Sequence, residues 1–156
     1  MRAKSRIFSG AILFGVALGM AIAAPHAASR QAQSAEEPVP AFHNEASKGQ
    51  LPETLDPAQF TNVVVQNAYN LAARVKKILY QQPCYCHCDR SQGHGSLLDC
   101  FAGKHASVCE ICIREGLYSY EQSHKGKTAA QIRAGIEHGE WRNVDVSKYG
   151  APIAAK

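Results

Sequence analysis

The cysteines of this chain are confined to one stretch. All six fall between positions 84 and 112: Cys84, Cys86 and Cys88 in Pro83-Cys84-Tyr85-Cys86-His87-Cys88, then Cys100, then Cys109 and Cys112 in Cys109-Glu110-Ile111-Cys112. Thiols that only cross-link a fold are expected to spread along it, so a group this dense points to a single soft-metal or redox site. In an extended backbone, alternate residues share a side. Cys84, Cys86 and Cys88 therefore read as a comb of three sulfurs, with Tyr85 and His87 turned away. Alternate Cα atoms in such a strand stand about 6.6 Å apart, near the upper limit for a disulfide. A shared zinc ion needs only to lie about 2.3 Å from each sulfur. The comb thus suits a metal better than a permanent bridge, although pairing of Cys84 or Cys88 with Cys100, Cys109 or Cys112 stays open.

Cys109 and Cys112 are spaced i, i+3 at the expected start of a helix, on one face. The helix N-terminus and the Cys-x-x-Cys arrangement both favour the thiolate. Low-pKa thiols make good soft-metal ligands, and they also arm a thiol–disulfide oxidoreductase; in that case Cys109 and Cys112 are the catalytic pair. His87 and His94 are the imidazole candidates within the loop, with His105 behind them, while His43, His124 and His138 read as solvated. A thiolate-rich set selects Cu(I), Zn(II) or an iron–sulfur cluster. Cu(I) fits first, Zn(II) would need only four of the ligands, and no cluster spacing pattern is matched. All of this requires the front comb and the rear pair to converge in space.

Helix signals position those residues. Asp56-Pro57-Ala58-Gln59 offers an N-cap with proline at N1. Phe60, Val64, Leu71, Val75 and Ile78 then recur at helical spacing, predicting one helix to about Tyr80, stopped by Pro83. Ser96 to Asp99 predicts a short helix reaching Phe101. Ser107-Val108-Cys109-Glu110 reads as a capping box opening a helix to about Ser123, ending at Gly126. Thr128-Ala129-Ala130-Gln131 reads as another, with Gly139 as its stop. No window alternates like a strand. The predicted fold is all-α: a small helical domain with an irregular cysteine-rich loop between its first two long helices. Trp141, Tyr118 and Tyr120 read as core or core edge, and Asp99 as a helix-start residue.

The front of the chain suggests a compartment. Arg2, Lys4 and Arg6 precede an uncharged apolar run from Ile7 to Ala24 and a small-residue stretch. This is the pattern of a secretory signal peptide, or of an N-terminal anchor if it stays uncleaved. Residues 1–28 are read as that segment, 29–55 as a flexible linker rich in Ala, Gln, Glu and Pro, and 56–150 as the cysteine-rich domain. The chain has 17 basic and 13 acidic residues. Three of the basic ones lie in the first 28 residues, leaving 14 against 13, so there is no electrostatic case for nucleic acid. The expected location is outside the cytoplasm, in the periplasm or cell envelope or secreted. Any membrane association would run only through the N-terminal segment.

The stretches Pro83-Cys84-Tyr85-Cys86-x-Cys88, Gly95-Ser96-Leu97-Leu98-Asp99-Cys100-Phe101 and Cys109-x-Ile111-Cys112 resemble the bacterial PCYCGC-motif family, also called the CYCXC family, over roughly residues 75–140. The resemblance implies an exported or lipid-anchored envelope protein with thiol or selenol chemistry, since some members carry selenocysteine in the motif. It carries the six cysteine positions over as site residues. Two departures stand out. His87 occupies the place of a common glycine, and the anchor cysteine of the lipid-linked members is missing. Three functions follow as expectations: a soft-metal protein handling copper, with a metal-delivery partner in the envelope; a thiol–disulfide oxidoreductase with a redox partner; and a disulfide-stapled interaction module.

Overall fold

A computed structural model describes residues 37–153. Within them the chain forms six α-helices and no strand, in agreement with the expected all-α class. They are α1 Val63–Arg74, α2 Lys76–Leu79, α3 Cys88–Gln92, α4 Leu97–Ala102, α5 Glu110–His124 and α6 Ala129–Glu137, joined by loops and by 3₁₀ turns at Pro57–Gln59, His105–Val108, Glu140–Asn143 and Val146–Tyr149. The longest helix, α5, sits at the centre and packs against α1, α2, α4 and α6. It buries Cys112, Ile113, Glu115, Gly116, Leu117, Tyr118, Ser119 and Gln122, more than one amphipathic stripe would supply.

The first predicted helix is divided. Asp56 accepts a hydrogen bond from the Ala58 N–H at 2.9 Å, as a cap should. The turn it opens ends at Phe60, which is extended and packs its ring 4.4 Å from that of Tyr69. Asn62 then caps α1, its Oδ1 accepting from the N–H groups of Val64 and Val65. Val75 departs from helical geometry and separates α1 from α2. Two competing caps six residues apart cannot both start the same helix, and the second wins because Phe60 is drawn to the core. The start of α5 also differs from its prediction. Ser107 does not cap it: its hydroxyl donates to the Lys104 carbonyl at 2.7 Å, and its N–H is held by the Tyr69 hydroxyl at 3.1 Å. Cys109 is the N-cap residue. The box at Thr128 and Gln131 forms as expected, and Gly126 and Gly139 take left-handed backbone after α5 and α6.

The described part of the expected linker, residues 37–55, has no helix or strand but is not loose. Pro40 is fully buried. The Ala41 N–H donates to Asp89 at 3.1 Å, His43 stacks on Tyr80 at 3.8 Å, and Arg133 lies over the Phe42 ring. Leu51 and Leu55 pack on the core, and the Leu55 N–H donates to the Phe101 carbonyl at 2.9 Å. The folded unit therefore begins well before residue 56, because Pro40, Phe42, His43, Leu51 and Leu55 find partners while Val39 stays exposed. The segment read as a signal or anchor, residues 1–28, lies outside the described residues. Among the described residues no helix is long and apolar enough to cross a membrane.

One close approach fixes α4 against α5. The Phe101 ring rests on Gly116, where an added Cβ would come within 2.5 Å of its Cζ. Phe101 follows Cys100 directly, so this contact also sets the depth of that sulfur. Gly116→Ala gains about 1 kcal/mol of helix propensity, yet the overpacking should outweigh it. A net loss of about 1–3 kcal/mol is expected in urea denaturation, and a more stable variant would show that the ring can move aside.

Candidate metal centre

The six cysteines reach one place by four routes. Cys84 and Cys86 lie in the loop after α2, Cys88 opens α3, Cys100 sits within α4, and Cys109 and Cys112 occupy the N-cap and first turn of α5. Cys84, Cys88, Cys100 and Cys112 are buried, and Cys86 and Cys109 are half-exposed. The Cys84 Sγ stands 3.3 Å from that of Cys86 and 3.4 Å from that of Cys112, and Cys86 to Cys112 is 3.6 Å. Cys88 and Cys100 are 3.3 Å apart. A disulfide needs about 2.05 Å; all six are free thiols, five of them in sulfur contact and Cys109 within 4.8 Å of Cys86 and Cys112.

The front cysteines are not an extended comb. The His87 N–H donates to the Cys84 carbonyl at 3.0 Å, closing a tight turn. His87 itself is the only non-glycine residue with positive φ among the described residues, at 56°. The turn folds Cys88 back into α3. The three sulfurs therefore converge by a reversal of the chain rather than by alternation along a strand, and Cys88 faces Cys100 while Cys84 and Cys86 face Cys112.

Two imidazoles close the site. His105 presents Nε2 to the Cys86 Sγ at 3.3 Å, and His94 presents Nδ1 to the Cys100 Sγ at 3.3 Å. Their rings meet edge to face at 5.2 Å. The donor atoms of Cys86, His105, Cys109 and Cys112 all lie within 4.8 Å of one another, as do those of Cys84, Cys88 and Cys100. His87 is placed elsewhere: its Nε2 faces Glu37 at 3.4 Å. The shell around the cluster comes from residues the sequence did not single out. Tyr69 donates to the Gly103 carbonyl at 2.7 Å and holds Ser107, fixing the loop that carries His105 and Cys109. Glu115, one turn beyond Cys112 on α5, is fully buried and accepts the Tyr85 N–H at 2.9 Å, pinning the front loop to the helix. Burial pushes its carboxyl up to about 8. A carboxylate at i+3 from Cys112 was the available signal for it.

Crowded thiols share their protons unequally. Donation from Cys100 first, then from Cys112, Cys84 and Cys88, holds the Cys86 thiol well below its usual range. Cys88 is lowered to about 3, again with Cys100 the largest cause. Burial first of all pushes Cys109 up, and Cys112 is raised with Cys100 as its largest cause. Of the two lowered thiols, only Cys86 is half-exposed. Because a lowered thiol stays ionised as pH falls and a raised one does not, alkylation of reduced, metal-free protein should favour Cys86 over Cys109 increasingly from about pH 8 to about pH 6. Peptide mass spectrometry would read this, and equal modification of the two at the lower pH would refute the assignment.

The comparison with curated proteins found no match, and neither did that with solved structures. A family model described as a protein of unknown function with PCYCGC motif matches residues 13–143. Its motif has glycine where this chain has His87. The structure gives a physical reason for that glycine, since left-handed backbone costs a residue with a Cβ about 1–2 kcal/mol. His87→Gly should therefore stabilise the chain by up to about 1 kcal/mol in urea denaturation; a less stable variant would show that the Glu37 contact outweighs the backbone strain. Carrying the rest of that motif at Pro83, Cys84, Tyr85, Cys86 and Cys88, and matched over most of its length, the chain belongs to the PCYCGC-motif family.

Proposed function

We propose that this protein is an exported soft-metal-binding protein, with Cu(I) its foremost cargo, serving metal homeostasis or delivery in the cell envelope. The observation that carries the reading is the convergence of six free thiols and two imidazoles on one half-buried centre. The donor set fits the ion class. Sulfur and imidazole without an oxygen donor favour Cu(I) and Zn(II) over hard cations. Donors within 4.8 Å of one another match the spacing around a shared ion, where tetrahedral thiolates about 2.3 Å from zinc stand about 3.8 Å apart. A bound ion would displace the protons that the thiols hold. Export rests on the basic and apolar pattern of residues 1–28.

A second reading is favoured by one observation. A half-exposed, lowered Cys86 thiol beside Cys84 and Cys112 is also the arrangement of a thiol–disulfide oxidoreductase, whose partner would be an envelope thiol protein. Elemental analysis and free-thiol titration of protein isolated without oxygen or chelators separate the two. Stoichiometric copper, falling sharply in the Cys86→Ser, Cys109→Ser double variant, is expected for the metal reading. A double variant that keeps as much copper as the parent would overturn it. Metal-free protein whose thiols form dithiothreitol-reversible disulfides would support the redox reading instead.

A further inference from the structure

The centre holds more donors than one ion can use. Eight atoms, six sulfurs and two imidazole nitrogens, meet in it, whereas a soft ion such as zinc takes four. The donors do not form one even shell around a point. They divide. Cys86, His105, Cys109 and Cys112 form one group, and Cys84, Cys88 and Cys100 form the other. His94 adjoins the second through Cys100, at 3.3 Å, and stands outside the mutual 4.8 Å set of its three sulfurs. Each group then has three sulfurs and one imidazole, a composition known for closed four-coordinate sites.

The two groups are neither separate nor alike. Cys84 of the second touches Cys86 and Cys112 of the first, at 3.3 and 3.4 Å. The two histidines lie ring against ring at 5.2 Å, so they cap neighbouring positions from one side. Burial differs: the sulfurs of the second group are all buried, while Cys86, Cys109 and His105 of the first are half-exposed. The supports differ in part: Cys109, Cys112 and His105 are carried by the N-terminus of α5 and the 3₁₀ turn before it, Cys88 and Cys100 by α3 and α4, while Cys84 and Cys86 share the tight turn at His87.

We propose that the centre has two metal positions, an outer one at Cys86, His105, Cys109 and Cys112 and an inner one at Cys84, Cys88, Cys100 and His94, joined through the Cys84 thiolate. This rests on the metal-binding reading. The outer position is where an ion enters and leaves. The inner one is the more enclosed, since its three sulfurs are buried and only His94 is half-exposed. Thiol protons go to solvent as each ion binds. Such a pair of positions suits a protein that retains one ion while exchanging another.

Zinc(II), which takes single four-coordinate positions, is the probe. Reduced protein is titrated with zinc(II) under argon and the ions per chain are counted by native mass spectrometry. Two ions are expected. The Cys86→Ser, Cys109→Ser variant and the Cys88→Ser, Cys100→Ser variant should each hold one, with helicity checked by circular dichroism. Should a buried-cysteine variant unfold, His105→Ala and His94→Ala are the milder substitutes, each weakening one of two ions and sparing the other. One zinc ion on the parent chain overturns the two-position inference but leaves metal binding standing. Loss of both ions in both folded double variants also overturns it. A parent chain that takes up neither zinc(II) nor Cu(I) overturns the metal-binding reading itself.

Discussion

Six thiols crowded together in a helical core are an unstable arrangement unless something shared holds them. Sulfurs 3.3–3.6 Å apart cannot all ionise, because like charges repel strongly where water is scarce. Nor can each find a strong partner while protonated, because a thiol is a weak donor and a weak acceptor. Here the shifts oppose one another: Cys86 and Cys88 are lowered while Cys84, Cys100 and Cys112 are raised. A soft cation relieves the conflict, because it neutralises several thiolates at once. The rest of the domain is arranged around keeping this group together.

The means are ordinary packing and hydrogen bonds. The Phe101 ring against Gly116 sets α4 on α5, and with it the depth of Cys100, which meets Cys88 and His94. Glu115 ties the front loop to α5 through the Tyr85 N–H, placing Cys84 and Cys86 over the first turn. Tyr69, packed between a tilted Phe60 and an edge-on Phe101, reaches out of the core to hold the loop of His105 and Cys109. Gln82 is fully buried and joins three elements: its side chain donates to the Ile78 and Ala129 carbonyls, and its own carbonyl accepts from Leu97 at the start of α4. Buried polar groups of this kind are costly when unpaired, so each fixes one geometry for the chain around it.

The centre is graded from outside to inside. The exposed rim is formed by Cys86 and Cys109, next to Val108, which is 85% exposed beside the N-cap of α5. Behind the rim the sulfurs are dry. His94 and His105 are half-exposed as well, so solvent reaches the donor set through its imidazoles and through Cys86 and Cys109.

The helical class, the box at Thr128, the left-handed glycines and the density of thiols could all be read from local residue order, because caps, turns and composition act within a few positions. The sequence by itself also determined that the site would be soft, since the donors are fixed by residue type. Which sulfur meets which was decided only by the tertiary structure. The reversal at His87 replaces the comb that alternation suggested, and Asn62 rather than Asp56 starts α1 once Phe60 turns to Tyr69. His105 joins the sulfurs while His87 turns to Glu37. Those outcomes depend on contacts between residues far apart in the chain, and no local spacing encodes the free energy of packing that selects them.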